Sequence, residues 1–189
     1  VRDHQGELVI AHDPPSGKKL LLFETVLDSW INYVSENKTP ILAINIKADG
    51  LCEKLNKIVN EEYRKHTFVF DMSIPDTISY ITSDYPIFTR HSELEPFPSF
   101  YQECKGVWLD AFEENWISRT TIQHHLDNNK SVCIVSPELH NKNHKKVWEG
   151  YKNIFGQIHN TDDKNIMLCT DFVVEGNQFF TCWGIMCNY

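Results

Sequence analysis

A short alternating segment that leads directly into a helical pattern is the strongest constraint on the fold of this chain. Residues 40–51 read PILAINIKADGL, and apolar side chains alternate with small or polar ones from Leu42 to Lys47. Alternation with a period of two predicts a β-strand. An Asp-Gly pair ends the strand, and residues 51–64 continue with the apolar spacing of a helix. The segment is therefore predicted to form a βα unit, and in parallel α/β folds the functional site forms at the carboxyl ends of such strands.

Five further segments repeat this pattern. The six predicted strands cover residues 40–47, 66–73, 86–90, 106–112, 131–136 and 165–172, and helical patterns cover 24–36, 51–64, a short stretch from 75, 116–129 and 145–155. Short apolar strands that alternate with helices predict a parallel α/β sheet. A doubly wound sheet forms its site near one switch point, whereas every strand of a closed barrel contributes to one mouth. All six predicted strands end in polar residues, which favours a (β/α)8 TIM-type barrel.

A predicted hairpin precedes the first helix. Residues 1–3 are predicted to end a strand, residues 4–6 to form a turn, and residues 7–11 to form a second strand that leads to His12. A barrel of this kind closes with eight strands, and the six strands and the hairpin fall short of that number. The first residue is Val1 rather than Met. We therefore expect residues 1–189 to be a single, partial barrel domain that lacks the first strand and most of the second, both lying upstream.

Charge and composition restrict the possible partners and the compartment. The formal net charge of −8 argues against a nucleic-acid partner, because phosphate backbones attract clustered Lys and Arg. No apolar run approaches the roughly 18 residues that a membrane span needs, and the first residues have no signal-peptide pattern. The six cysteines form no C-x-x-C pair, and two lie inside apolar strands. They are predicted to be thiols in a reducing compartment, which favours a cytoplasmic location.

Two strand ends carry motifs that resemble a known family. Residues 4–14 read HQGELVIAHDP and include His12, and the next strand ends with Asn45, Ile46 and Lys47. The chain resembles the glycerophosphodiester phosphodiesterase family of phospholipase C-like barrels, in which a D-G-x-L-V-x-x-H-D-P stretch carries a catalytic histidine and the next strand carries E-x-K. The closing strand of that family often reads T-D, as at residues 170–171 here. The resemblance spans most of the chain, and its specific part is residues 12–14 with Lys47.

The resemblance implies metal-dependent hydrolysis of a glycerol- or sugar-phosphodiester, with Mg²⁺ or Ca²⁺ as the cation. Such a reaction needs a base, an acid and positive charge at the phosphoryl oxygens. His12 is the candidate for one half of the acid/base pair, since imidazole titrates near neutral pH. Lys47 is predicted to place a point charge at the phosphate, and Arg90 a guanidinium fork. Asp110 and Glu138, at the ends of later strands, are predicted to bind the substrate together with Arg90.

The chain departs from the family in two ways. The family begins with a strand ending in His-Arg-Gly and an E-x-D strand that supplies two metal ligands, and we expect both just upstream of Val1. Asn45 stands where the family usually has a ligating Glu. An amide oxygen binds a hard cation without contributing charge, so Asn45 is predicted to be a weak metal ligand. This departure supports an alternative, a non-catalytic or degenerate barrel that binds a phosphorylated ligand or a protein partner.

The catalytic candidates also have structural interpretations, which the sequence leaves open. His12 can cap the turn before a Pro-Pro pair, and Lys47 can lay its aliphatic chain along the strand end beside Asn45. Arg90 can form an ion pair with Glu93 or with a carboxylate of a neighbouring strand.

Acidic residues and histidines in the second half have similar alternatives. Asp71 and Asp110 follow strands and can cap the next helix. Glu138 follows a proline, so a solvated loop explains it as well as a binding role does. The four histidines that could suggest a metal are better explained without one, because the first pair faces opposite sides of a helix and the second lies on a polar loop: His124, His125, His140 and His144.

Overall fold

The computed structural model describes residues 1–16, 20–36, 40–158 and 165–180. Within these ranges the chain forms nine strands and seven α-helices. It divides into two compact units, unit 1 from Val1 to Phe88 and unit 2 from Thr89 to Tyr189. None of the helices in the described ranges has the length and apolar character that a membrane crossing requires.

Unit 1 begins with a three-stranded antiparallel sheet. Its strands are β1 (Arg2–His4), β2 (Glu7–Ile10) and β3 (Leu21–Leu22), in the order β1-β2-β3. Gln5 and Gly6, with φ of 53° and 93°, form the predicted turn between the first two strands. Positive φ at both central residues matches the right-handed twist of a hairpin. The two-residue β3 was not predicted, because it is too short to show an alternating pattern.

The rest of unit 1 is built from parallel βα units. After α1 (Phe23–Glu36), β4 (Leu42–Asn45) pairs in parallel with β5 (Thr67–Phe70). All four residues of β5 are buried, and Val69 also forms a parallel bridge to Ile87 on the other edge of the strand. Helices α2 (Cys52–Ile58), α3 (Glu61–Arg64) and α4 (Ile74–Thr82) complete the unit.

The single helix predicted for residues 51–64 is wrong. Helix α2 ends at Ile58, and Val59 is extended with φ −89° and ψ 103°. Asn60 is also extended, and α3 starts at Glu61. Two successive β-branched residues weaken the helix at this point. The extended backbone also places Val59 in the core, where it is fully buried.

Unit 2 contains a four-stranded sheet covered by helices. Strand β6 (Phe88–His91) starts at the last residue of unit 1, and the sheet order is β6-β7-β8-β9. The other strands are β7 (Gly106–Leu109), β8 (Ser131–Val135) and β9 (Ile166–Cys169), which pair in parallel. The helices are α5 (Arg119–Asp127), α6 (Lys145–Phe155) and α7 (Val173–Phe180), with a 3₁₀ turn at Pro137–His140. Trp148 and Tyr151 of α6 pack against β7 and β8 in one buried cluster.

Serine side chains, not the aspartates that follow the strands, cap two of these helices. Ser73 accepts a hydrogen bond from the Asp76 N–H at the start of α4. Ser118 accepts one from the Thr121 N–H, so α5 starts at Arg119 rather than at the predicted residue 116. The interpretation of Asp71 and Asp110 as helix caps is therefore wrong.

The predicted elements and the observed ones agree in outline. Each of the six predicted strands overlaps an observed strand, β4 to β9, with β6 ending one residue beyond the predicted strand, and α6 has the predicted bounds. Both units contain parallel strand pairs joined through helices. Helix α7 lies in a segment for which no helix was predicted. The TIM-type barrel and the assignment of residues 1–189 to one partial domain stay predictions.

Candidate functional site

Three polar side chains follow the adjacent parallel strands β4 and β5 of unit 1. Asn45 is the last residue of β4, Lys47 comes two residues later, and Asp71 directly follows β5. The Lys47 Nζ donates a hydrogen bond of 2.7 Å to the Asp71 Oδ2. The Lys47 and Asp71 side chains are only 27% and 14% exposed. Asp71 has φ of 72°, a left-handed conformation that Asp adopts more readily than most residues. The strand ends thus hold a largely buried ion pair.

Arg2 ties the His12 segment to the same strand end. Its Nε and Nη2 donate to the His12 carbonyl oxygen at 3.1 and 2.9 Å. Its Nη1 donates to the Lys47 carbonyl oxygen at 2.6 Å. Arg2 was not among the predicted site residues.

The His12 imidazole itself points to solvent. Its Nδ1 lies 3.0 Å from the Asp13 Oδ1, and both side chains are 87% exposed. The structure therefore brings the main chain of His12, rather than its imidazole, to the end of β4.

The Asn45 side chain has a feature that suits a cation ligand. Its Oδ1 is buried and has no hydrogen-bond partner among the described residues. An unsatisfied buried acceptor costs about 1–3 kcal/mol, which a cation or a donor would recover. Calcium, however, takes six to eight oxygen ligands. The described ranges contain no group of three or more His, Cys, Asp or Glu side chains that could hold a metal. Asn45 thus fits as one ligand, and the described residues do not complete a coordination shell.

Unit 2 has its own cluster at the carboxyl ends of β7 and β8. The Asp110 Oδ1 accepts hydrogen bonds from the His140 Nε2 at 2.6 Å and from the Ala111 N–H at 3.0 Å. Asp110 is 4% exposed. The His140 ring centre lies 4.9 Å from that of Phe112. The prediction singled out Asp110 but not its partner, because His140 lies 30 residues away.

Arg90, the other predicted phosphate ligand, contacts the same loop. Its guanidinium carbon lies 5.7 Å from the centre of the Phe112 ring. Its Nε is 3.7 Å from the Glu95 Oε2. Glu93, the alternative ion-pair partner, instead accepts a hydrogen bond from the Glu113 N–H. The structure thus brings Arg90 and Asp110, two predicted substrate-binding residues, to the loop that contains Phe112.

Glu138 joins the ends of β8 and β9. One of its carboxylate oxygens accepts hydrogen bonds from the Thr170 hydroxyl and the Asp171 N–H, and the other accepts one from the Ser136 hydroxyl. The Ser136 oxygen in turn accepts a hydrogen bond of 2.8 Å from the Trp148 Nε1. The solvated-loop interpretation of Glu138 is therefore wrong. Both of its oxygens have partners within unit 2, while its predicted role in substrate binding stays a prediction.

A chain of three buried or half-buried groups connects β6 to α5. The His91 Nδ1 lies 3.0 Å from the His125 Nε2, and the Tyr101 hydroxyl lies 2.8 Å from the His125 Nδ1. Burial is the main cause that lowers the pKa of His125 to about 4, and nearby His91 and His124 add to it. Burial also lowers the pKa of His91. His124 is exposed and His125 buried, as expected for opposite sides of a helix.

A cavity of about 200 Å³ in unit 1 lies away from these strand ends. It is lined by residues of the hairpin, α1 and α2: Gly6, Glu7, Leu8, Leu22, Glu24, Lys54, Lys57 and Ile58. None of the predicted site residues lines it.

Comparisons with known proteins find no relative of this chain. No family model matches the sequence, and neither a curated protein nor a solved structure is similar to it at a significant level. The resemblance to phosphodiesterases therefore rests on the residues that carry it.

Proposed function

We propose that the full-length protein hydrolyses a glycerol- or sugar-phosphodiester with the help of Mg²⁺ or Ca²⁺. The supporting observation is that the Arg2 guanidinium donates hydrogen bonds to the main-chain carbonyl oxygens of both His12 and Lys47, at one strand end of unit 1. These two residues are also the specific part of the resemblance. A cytoplasmic location belongs to the proposal. It is supported by the cysteines in the described part of the chain, which are not joined in disulfides: Cys52, Cys104, Cys133 and Cys169.

The residues of unit 1 have the chemistry that this reaction needs. The Lys47 ammonium, oriented by Asp71, stabilises the negative charge that develops on the phosphoryl oxygens. The His12 imidazole, next to the Asp13 carboxylate, transfers a proton to or from the reacting oxygen. The Asn45 Oδ1 would hold a hard cation, which would withdraw charge from the phosphate. Substrate binding by Arg90, Asp110 and Glu138 remains part of the prediction.

The test is the rate of cleavage of a glycerol alkyl phosphodiester by the full-length protein, before and after treatment with a chelator. We expect Mg²⁺ or Ca²⁺ to restore the activity that the chelator removes. We expect His12→Ala to lower the rate about 10²–10⁴-fold, the usual contribution of a general acid or base. His4→Ala is the matched control, since His4 is a partly exposed histidine of the same hairpin. If His12→Ala keeps more than a tenth of the rate, His12 is not the acid/base residue.

A second candidate is binding of a phosphorylated ligand without catalysis. The exposure of the His12 imidazole and the pairing of Lys47 with Asp71 favour it. In that case the full-length protein binds glycerol phosphate in a calorimetric titration and does not cleave the diester during a long incubation.

A further inference from the structure

The pair formed by Asp110 and His140 in unit 2 has the geometry of a proton-transfer dyad. The Asp110 carboxylate directly follows β7, and His140 ends the 3₁₀ turn that follows β8. These two strands are parallel neighbours, so their carboxyl ends bring the two side chains together. The 2.6 Å distance between the His140 Nε2 and the Asp110 Oδ1 is short for a nitrogen–oxygen hydrogen bond, as expected for a charge-assisted one.

Two further interactions hold the loops that carry the dyad. The Lys142 Nζ donates to the carbonyl oxygens of Ala111, Phe112 and Glu113, at 3.3, 2.6 and 2.7 Å. Asn141 has φ of 58°, a left-handed conformation that ends the 3₁₀ turn directly after His140. Lys142 thus joins the loop after β8 to the loop after β7 independently of the dyad. The histidine is positioned before any ligand arrives, as catalytic groups require.

The hydrogen bonds of Asp110 determine which nitrogen of His140 can exchange a proton. A carboxylate only accepts hydrogen bonds, so the His140 Nε2 carries the hydrogen that it donates to Asp110. Among the described residues the His140 Nδ1 has no hydrogen-bond partner. The His140 side chain is 23% exposed, whereas that of Asp110 is only 6% exposed. The ring therefore shields the Asp110 carboxylate from solvent, and Nδ1 is the His140 nitrogen that can exchange a proton with a ligand.

We propose that His140 is a catalytic acid that donates its Nδ1 proton to an alcohol leaving group, and that Asp110 is its positioning residue. The inference rests on the proposed hydrolysis, but its geometry involves residues of unit 2 alone. Water adds to the phosphorus, the bond from phosphorus to the alcohol oxygen breaks, and its electron pair stays on that oxygen. The oxygen takes the Nδ1 proton of the His140 imidazolium and leaves as the alcohol. The proton lost by the attacking water restores the imidazolium.

Asp110 supports this step in two ways. Its hydrogen bond fixes the orientation of the ring, and its negative charge pairs with the imidazolium. The ring of Phe112, against which His140 packs, limits its rotation further. A purely structural contact would have the same distances, but the loss of rate on removing it would not depend on the basicity of the leaving group. That difference makes the proposal testable.

The experiment compares two glycerol phosphodiesters that differ in the leaving group. The ethyl ester releases a strongly basic alkoxide, which needs a proton as it leaves. The 4-nitrophenyl ester releases a weakly basic phenolate, which does not. The kcat/KM of the full-length protein is measured on both esters for the wild type, for His140→Gln and for His124→Gln. Gln can keep the hydrogen bond to Asp110 but cannot transfer the proton. His124 is an exposed histidine of unit 2 and serves as the matched control.

We expect His140→Gln to lower kcat/KM on the ethyl ester about 10²–10⁴-fold and to leave the nitrophenyl ester nearly unchanged. His124→Gln should affect neither ester. Asp110→Asn, like His140→Gln, should raise the ratio of kcat/KM on the nitrophenyl ester to that on the ethyl ester. Asn keeps the size of the side chain but removes the charge that pairs with the imidazolium.

Three results would overturn the inference. Equal losses of kcat/KM on both esters in His140→Gln would mean a structural contact, and an unchanged kcat/KM on both esters would mean no role in proton transfer. In both cases the wild type still cleaves the esters, so the proposed function survives. If the wild type cleaves neither ester, the proposed function itself fails and the role of His140 fails with it.

Discussion

The ion pair between Lys47 and Asp71 is the residue-scale feature on which the account of unit 1 depends. Both partners are largely buried, so removing one leaves a charge poorly compensated. The left-handed backbone of Asp71 limits the choice of variant, because most side chains are strained at a φ of 72°. Asn tolerates this conformation and has the same size as Asp. Asp71→Asn therefore tests the charge alone.

We expect Asp71→Asn to lower the free energy of unfolding by about 1–3 kcal/mol, because the largely buried Lys47 ammonium loses the negative charge that compensates it. Denaturant unfolding of the full-length protein measures it. The control is Glu53→Gln, which removes the exposed ion pair with Lys57 and should change the stability by less than about 0.5 kcal/mol. Equal effects of the two substitutions would show that the Lys47–Asp71 pair contributes no more than a surface pair.

The residue positions that could be predicted from the sequence are those that follow from the alternation of side chains along a strand. Asn45 and Lys47 share one side of a strand end, so their common position at the end of β4 was predictable. His140 was not, since its contact with Asp110 depends on a 3₁₀ turn and on the left-handed Asn141 that ends it. Arg2 was missed because its side chain acts on backbone carbonyl oxygens 10 and 45 residues away. No local pattern encodes such contacts.

At the scale of elements, β6 and α5 are connected by the chain of His91, His125 and Tyr101. His125 is 2% exposed, and burial keeps it neutral in the folded state down to about pH 4. In the unfolded chain a histidine takes up a proton near its ordinary pKa of about 6.5. Protons therefore bind the unfolded state more tightly between these two values. The stability associated with neutral His125 is present above about pH 6.5 and is lost as the pH falls towards 4.

We expect the free energy of unfolding to fall between pH 7 and pH 4, with His125 contributing on the order of 2–3 kcal/mol by pH 4. His125→Gln cannot take up a proton, so it should flatten this dependence, although it lowers the stability at pH 7. Denaturant unfolding at several pH values measures both effects. His124→Gln, on the exposed side of α5, is the control and should change the slope far less, because the charge of His124 only adds to the effect of burial on His125. A slope that His125→Gln does not reduce would contradict this account.

Element boundaries show where sequence patterns are insufficient. Most of the strands β4 to β9 were predictable because they are short, mainly apolar segments followed by polar residues, and β6 was predictable from Ile87 and Phe88 before its polar end. The break after α2 was not, since the helical spacing continues through Val59 although its backbone is extended. Helix α5 starts directly after its cap Ser118, although the apolar pattern already begins at Trp116 and Ile117. Helix α7 is short and follows β9 closely, so its periodicity is weak.

At the scale of the whole molecule, each of the two compact units carries its own group of predicted site residues. Unit 1 contains the predicted catalytic residues His12 and Lys47 and the predicted ligand Asn45. Unit 2 contains Arg90, Asp110 and Glu138, predicted to bind the substrate, and the dyad with His140. Each unit has parallel strands with polar side chains at their carboxyl ends. This arrangement is typical of α/β proteins whose function lies at that edge, and it motivates the proposed hydrolysis.

The most direct test of that hydrolysis is the fate of the oxygen atom of water. The full-length protein is incubated with a glycerol alkyl phosphodiester and Mg²⁺ or Ca²⁺ in ¹⁸O-labelled water, and the products are analysed by ³¹P NMR and mass spectrometry. Attack of water on phosphorus predicts one ¹⁸O atom in the phosphomonoester and none in the released alcohol. Label in the alcohol, or no cleavage by the wild-type protein with either cation, would contradict the account.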